Sequence, residues 1–172
     1  HYQFLRGELL LQEGKIDEAL PYFEQAAKAD PQSAPALRIR LIQLYVRAGK
    51  LDEALEQAEL GLKTKPNDFQ LTQLKAGILA TLKRLDEAIA VYQQLLASNP
   101  DANEDVYVLL ASIYGQQNKL DKAIEVLNEL IKKKPQSVVG YYYTAKMYEA
   151  GNKVKDAEVF FQKAIKLSAS NE

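Results

Sequence analysis

The chain contains no cysteine, so it forms no disulfide and offers no thiolate to a metal, and its redox compartment stays open. Its single histidine is His1, at the chain end, where a frayed terminus or tag remnant is a simpler reading than a ligand or general base. No glycine-rich phosphate loop and no carboxylate cluster at metal-ligand spacing is present. These absences remove the usual routes to catalysis, and the sequence predicts no catalytic residue, no metal and no cofactor. Charge of one sign is also missing: 22 Lys and Arg stand against 23 Asp and Glu, so no field draws the chain toward nucleic acid or an anionic membrane. No apolar run approaches the roughly 20 residues of a membrane-spanning helix, which argues against direct insertion. The first residue is His1 rather than methionine, so the sequence reads as a fragment or processed chain whose upstream signal or lipid anchor would be out of view.

What the chain has is repetition. With 172 residues and 47% hydrophobic content it can bury a core throughout. Asp-Glu-Ala or a close variant recurs with alanines at Ala19, Ala54, Ala88, Ala123 and Ala157, in steps of 35, 34, 35 and 34 residues. Prolines follow twelve residues after the first four alanines, at Pro31, Pro66, Pro100 and Pro135. A period near 34 belongs to a helix-turn-helix repeat. Tyr107, Leu110, Ala111 and Tyr114 fall on one helical face, and Ile124, Leu127 and Ile131 form the stripe of a second helix. Asp121, with Asp17, Asp52 and Asp86 in the same slot, sits where an N-cap would open that second helix. Lys132, Lys133 and Lys134 complement its C-terminal dipole, and Pro135 closes the unit. Pro21 is placed in a first helical turn, where no intrahelical bond is lost.

These residues resemble the tetratricopeptide repeat family, whose pattern asks for a large aromatic, Leu and a small residue, tyrosine, alanine, a second aromatic and proline. Residues Tyr107, Leu110, Ala111, Tyr114, Ala123, Leu127 and Pro135 meet it in the fourth unit; Gly7, Gly14, Ala19, Phe23, Ala26 and Pro31 in the first; Ala76, Ala88, Tyr92 and Pro100 in the third. Ile42 fills a small-residue slot, and Gly61 and Leu95 stand where alanine is preferred. The match spans the chain as one domain, 1–172, with approximate repeats 1–34, 35–68, 69–103, 104–137 and 138–172. The expected fold is all-α, an α-α superhelix of about ten antiparallel helices, right-handed, with a concave side lined by first helices. The Gly-Lys and Asn-Lys turns are similar to those of bacterial scaffold proteins, including exported and lipoprotein-anchored ones, which leaves cytoplasm and periplasm as compartments.

The resemblance implies a non-catalytic module that binds a peptide or protein segment as a scaffold or adaptor. Stepping the core stripe by one position predicts the groove: Phe4, Glu8 and Leu11; Ile39, Gln43 and Val46, flanked by Arg40 and Arg47; Gln73, Gly77 and Ala80; Val108, Ser112 and Gly115; Tyr142, Lys146 and Glu149. Tyr141 is assigned to the core and Tyr142 to the groove. Arg40, Arg47 and Lys146 would steer acidic groups, Phe4 and Tyr142 would anchor apolar ones, and the small Gly77 and Gly115 would admit a bulky side chain or simply relieve helix crowding. The lysine, asparagine and arginine of the carboxylate clamp that holds chaperone tails are not in these slots, where Phe4, Glu8, Leu109 and Gln73 stand instead. In the last unit Glu158 replaces the apolar residue that follows the marker alanine elsewhere, while Phe161 and Ile165 stay apolar, so a weak homodimer through this C-terminal repeat is a second expectation. A recognition module belonging to a larger membrane-anchored or enzymatic protein is a third.

Overall fold

The computed structural model describes residues 2–29, 34–99 and 101–170; His1, Pro31 and Pro100 lie outside them, as do the side chains of Ala34 and Pro35. Among the described residues all regular structure is helical: α1 (Tyr2–Gln12), α2 (Ile16–Ala29), α3 (Ala34–Arg47), α4 (Leu51–Thr64), α5 (Phe69–Thr81), α6 (Leu85–Ser98), α7 (Glu104–Gln116), α8 (Leu120–Lys133), α9 (Val138–Ala150) and α10 (Val154–Ala169). The chain divides into two compact units, residues 1–84 carrying α1 to α5 and 85–172 carrying α6 to α10. In the first unit α1 packs on α2, α2 on α3, α3 on α4 and α4 on α5; in the second, each helix from α6 to α10 likewise packs on the next.

Each first-to-second-helix turn has one residue in the left-handed region: Gly14, Gly49, Lys83, Asn118 and Asn152, with φ between 57° and 77°. The next residue's N–H reaches back five positions, Lys15 to the Leu10 carbonyl, Lys50 to Tyr45, Arg84 to Leu79, Lys119 to Tyr114 and Lys153 to Tyr148, at 2.8–2.9 Å. This is the Schellman closure, in which the left-handed residue frees the chain to reverse while the helix carbonyls stay satisfied. The second helix then begins at once, and all five marker alanines near its start are fully or almost fully buried. Glycine and asparagine suit the left-handed position; Lys83 does not.

The carboxylates Asp17, Asp52, Asp86 and Asp121 do not cap. The second helices start one residue earlier, at Ile16, Leu51, Leu85 and Leu120, so these carboxylates lie in the first turn and act through the helix dipole. Side-chain capping belongs to first helices instead: Asp68 accepts from the Leu71 N–H at 3.0 Å and Ser137 from the Gly140 N–H at 2.8 Å. Pro21 is likewise not in a first turn. It is the sixth residue of α2, so the bond its N–H would have made to the Asp17 carbonyl is missing, on an exposed face. Pro66 and Pro135 do end their helices, for the residues before them, Lys65 (φ −135°, ψ 82°) and Lys134 (φ −128°, ψ 81°), have left the helical region.

Helix-to-helix spacing is kept by trading volume. A Cβ on Gly7 would lie 2.8 Å from the Phe23 ring, so α1 carries the small partner and α2 the large one. One repeat later the sizes reverse: Ile42 and Ala58 occupy the matching slots, both with no exposed surface, which accounts for an isoleucine where the family pattern asks for a small residue. Gly61, in place of alanine, gives room to Leu71, whose Cδ1 would stand 2.7 Å from an added Cβ.

Replacing Lys83 with glycine relieves the left-handed strain, and after the extra unfolded-state entropy of glycine a net gain of about 0.5–1 kcal/mol is expected, read as a rise in the urea midpoint. A lower midpoint would show that the lysine side chain does more than tolerate the turn. Alkali tests the core: burial pushes the Tyr92 hydroxyl up to about 12, against about 10 unfolded. Because only the unfolded state ionises between these values, stability present below pH ~10 is lost as pH rises toward ~12. Tyr92→Phe removes this share, so its circular-dichroism alkaline transition moves to higher pH; an unmoved midpoint would assign the transition to other groups.

Candidate functional site

In the first unit the expected groove residues converge on one buried ring. Phe23 is fully buried in α2, Phe4 of α1 meets it edge-on with centroids 5.6 Å apart, and the Arg40 guanidinium of α3 lies 6.0 Å from its centre. Glu8, one turn beyond Phe4, takes the same Arg40 Nη2 on both carboxylate oxygens at 2.8 and 3.1 Å. Arg40 is therefore already neutralised within the unit, which changes its expected role from steering a partner to tying α1 to α3. Both groups remain partly in water, so the pair adds modestly to stability. Ile39 is half-buried beside them, and Gln43, Val46 and Arg47 are exposed along the same helix. Gln73 and Gly77 on α5 are half-buried, and the Gly77 carbonyl accepts the Thr81 hydroxyl at 2.9 Å.

In the second unit the corresponding patch is aromatic. Tyr142 is exposed on α9 and packs edge-on against Tyr143 at 5.3 Å and against Phe161 of α10 at 5.8 Å. Val108 and Ser112 of α7 are half-buried. Lys146 donates to Glu149 at 2.6 Å, so this second steering cation is also paired, by a neighbour one turn away. Phe161, expected as an uncovered end residue, is half-buried beside Tyr142, whereas Ile165 is exposed. Tyr141 is only partly covered, resting 6.1 Å from Phe160 with the Lys163 ammonium 5.8 Å from its ring. A Cβ on Gly115 would find no more than ordinary contact with Met147, at 3.4 Å, so its close neighbours do not demand glycine at this penultimate position of α7.

Several polar links were not legible as sites. Tyr45 donates to the Glu24 carboxylate, and at the matching positions of the second unit Gln93 donates to the Tyr114 oxygen at 2.9 Å. Burial first, and then the Glu24 bond, raise the Tyr45 hydroxyl well above the ordinary phenol range, so this tyrosine is a neutral tie between α2 and α3. Lys133 does more than complement its helix dipole: it donates to the Tyr107 oxygen at 2.8 Å, and Lys134 lies 3.9 Å from Glu104. The only advance signal was the tyrosine recurring at one core slot of the first helices, at Tyr45, Tyr114 and Tyr148. Two open clefts lie in the second unit, about 330 Å³ beside Tyr141, Phe160 and Lys163, and about 320 Å³ beside Tyr114, Lys122 and Glu129. Among the described residues no group of three or more His, Asp or Glu side chains is placed to hold a metal, and no helix is long and apolar enough to cross a membrane.

Comparison of the chain with curated protein sequences gives no significant match. Among solved structures, MamA 41-end from Desulfovibrio magneticus RS-1 is similar, with TM-score 0.77, 23% identity and coverage of 99% of this chain and 96% of that one. A tetratricopeptide repeat protein from Parabacteroides merdae ATCC 43184 is similar with TM-score 0.80 and 19% identity, over 96% of this chain and 65% of that one. A putative kinesin light chain from Podospora anserina, with nearly identical repeats, aligns with TM-score 0.76 and 16% identity over 99% and 95%. These likenesses establish the all-α, α-α superhelix fold class. The sequence model of the tetratricopeptide repeat matches residues 10–78 and 79–146, most of the chain. On that match, and on the paired helices, left-handed turns and buried alanines that explain it, the chain belongs to the tetratricopeptide repeat family.

Proposed function

We propose that the chain is a non-catalytic protein-interaction module, a scaffold or adaptor that takes a peptide or protein segment along the stripe of its first helices. The observation that carries this reading is that each unit leaves side chains partly uncovered beside fully buried neighbours: in the first, Phe4 and Ile39 are half-buried while Leu41 and Ile42 are sealed; in the second, Val108 is half-buried and Tyr142 exposed while Leu110 and Ala111 are sealed. Apolar and aromatic surface held in place by a rigid core is suited to anchoring a partner's side chains at small entropic cost. Charge plays a narrower part than the sequence suggested. Arg40 and Lys146 are satisfied internally, and Arg47, exposed and without an ion pair among the described residues, is the cation left to meet an acidic group. The partner is a protein segment with apolar anchors, engaged mainly by contact and steered weakly by charge.

A photo-crosslinking residue placed at Gln43 or Ser112 is expected to capture one partner protein in source cells. Tyr142→Ala should reduce the Ser112 crosslink about tenfold or more, the loss expected for a buried aromatic anchor, with the helical circular-dichroism signal unchanged. Arg47→Glu should lower the association rate at low salt more than it raises dissociation. Equal capture by the parent and by Tyr142→Ala would remove the first-helix stripe as the binding surface.

A further inference from the structure

We propose that the cleft of about 330 Å³ between α9 and α10 is a second docking site, for an acidic peptide segment of another protein. That segment inserts a bulky apolar side chain against Tyr141 and Phe160 and lays its carboxylates on Lys163 and Lys166. The proposal goes beyond the first-helix stripe and uses none of its residues. The cleft is lined by Tyr141 of α9 and by Val159, Phe160, Gln162, Lys163 and Lys166 of α10. The two rings stand with centroids 6.1 Å apart, and the Lys163 ammonium lies 5.8 Å from the centre of Tyr141. Val159, Lys163 and Lys166, spaced four and three apart, share one helical face. The fold leaves that face to solvent in every repeat. The slot of Val159 is exposed at Pro21, Glu56, Ala90 and Glu125, and the slot of Lys166 at Lys28, Lys63, Ala97 and Lys132. Helix α8, packed between α7 and α9, exposes Glu125 and Lys132 all the same, so this exposure belongs to the slots and not to the place of α10 in the chain.

What α10 changes is the chemistry of the face. Val159 is 64% exposed, a large apolar side chain in water where other repeats carry Pro, Glu or Ala. The charges also lose their balance. Wherever else this face ends in lysine, a glutamate stands one turn earlier: Glu24 before Lys28, Glu59 before Lys63 and Glu129 before Lys132. Lys166 has Gln162 and Lys163 in those places, so two like charges adjoin on one face and repel. Neither Lys163 nor Lys166 has an ion pair among the described residues. The neighbouring carboxylates are engaged or distant: Glu158 accepts from Gln162 at 3.3 Å, Glu149 accepts from Lys146 at 2.6 Å, and Asp156 is seven residues before Lys163. An uncompensated positive edge beside aromatic surface is complemented by carboxylates flanking an apolar side chain. The cleft is at the small end of the range for ligand pockets and opens along an exposed helix, which suits side chains of an extended segment rather than an enclosed cofactor.

Fluorescence anisotropy with the 172-residue chain tests the proposal, using as probe a labelled peptide of sequence Glu-Glu-Leu-Phe-Glu-Glu. The parent is expected to bind it, more weakly as salt is raised, and to bind neither Lys-Lys-Leu-Phe-Lys-Lys nor Glu-Glu-Ser-Ser-Glu-Glu. Lys163→Glu and Lys166→Glu should each weaken binding about fivefold, and the double variant more than about tenfold. Val159→Ser should also lower affinity while leaving its salt dependence unchanged, because it removes apolar contact and no charge. All three residues are exposed, so the helical circular-dichroism signal is expected to persist; if charge reversal lowers it, Lys163→Gln and Lys166→Gln are expected to show the same direction of loss. No binding of the acidic peptide, equal binding of its serine counterpart, or undiminished binding by the double lysine variant would each overturn the site. Tighter binding of an oligothymidylate of equal charge would assign the lysines to nucleic acid instead. Loss on Tyr142→Ala with retention in the lysine variants would move the peptide to the first-helix stripe and overturn this proposal alone.

Discussion

The close seating of one alanine against the preceding helix sets the geometry on which the other features depend. Ala19, Ala54, Ala88 and Ala123 have no exposed surface and Ala157 almost none. In α2, α4, α8 and α10 the alanine N–H bonds to the carbonyl of the lysine that opens the helix, Lys15, Lys50, Lys119 or Lys153, at 3.0–3.1 Å. The methyl group is thus placed by the first backbone bond after the turn, only a few residues from the left-handed hinge. A larger side chain there would push the two helices apart at their nearest point, where the short turn leaves no slack. Elsewhere in the hairpin, volume can be exchanged between partners, as Gly7 with Phe23 and Ile42 with Ala58 show. The alanine slot shows no such exchange, holding the same buried residue in all five repeats.

This hierarchy explains which parts of the molecule could be read from sequence. The alanine period, the apolar stripes and the turn residues are local and repeated, so the helix pairs and their order follow from them. Helix starts were misplaced by two residues, the N-cap being Lys50 rather than Asp52 and Lys119 rather than Asp121, because aspartate is favoured both as a cap and in the first turn, and only backbone geometry distinguishes the two. Pro21 was misplaced with them, since its position counts from the helix start. The left-handed lysine at 83 gave no signal of its own, being visible only as an equivalent of Gly14, Gly49, Asn118 and Asn152.

Surface chemistry was less legible because long side chains choose among partners anywhere from one helical turn to a whole repeat away in sequence. Arg40 reads as an exposed cation until Glu8, 32 residues earlier, is seen to take it, and Lys146 until Glu149 does. Tyr142 is exposed, and its contact with Phe161 brings a second-helix residue to the same patch. Helical periodicity assigns a face; it does not assign a hydrogen-bond partner, particularly where several carboxylates lie within reach of one guanidinium.

Comparing the repeats with one another separates what the fold requires from what it leaves free. The marker slot holds alanine in every repeat, and the turn slot holds glycine, asparagine or one strained lysine. The positions proposed to meet a partner hold Phe4, Ile39, Gln73, Val108 and Tyr142 in one slot of the repeat and Glu8, Gln43, Gly77, Ser112 and Lys146 in another, with no shared chemistry. Positions that vary in size and charge at one point of a repeating scaffold are not being held by that scaffold's packing. The irregular slots can therefore change without disturbing the regular ones.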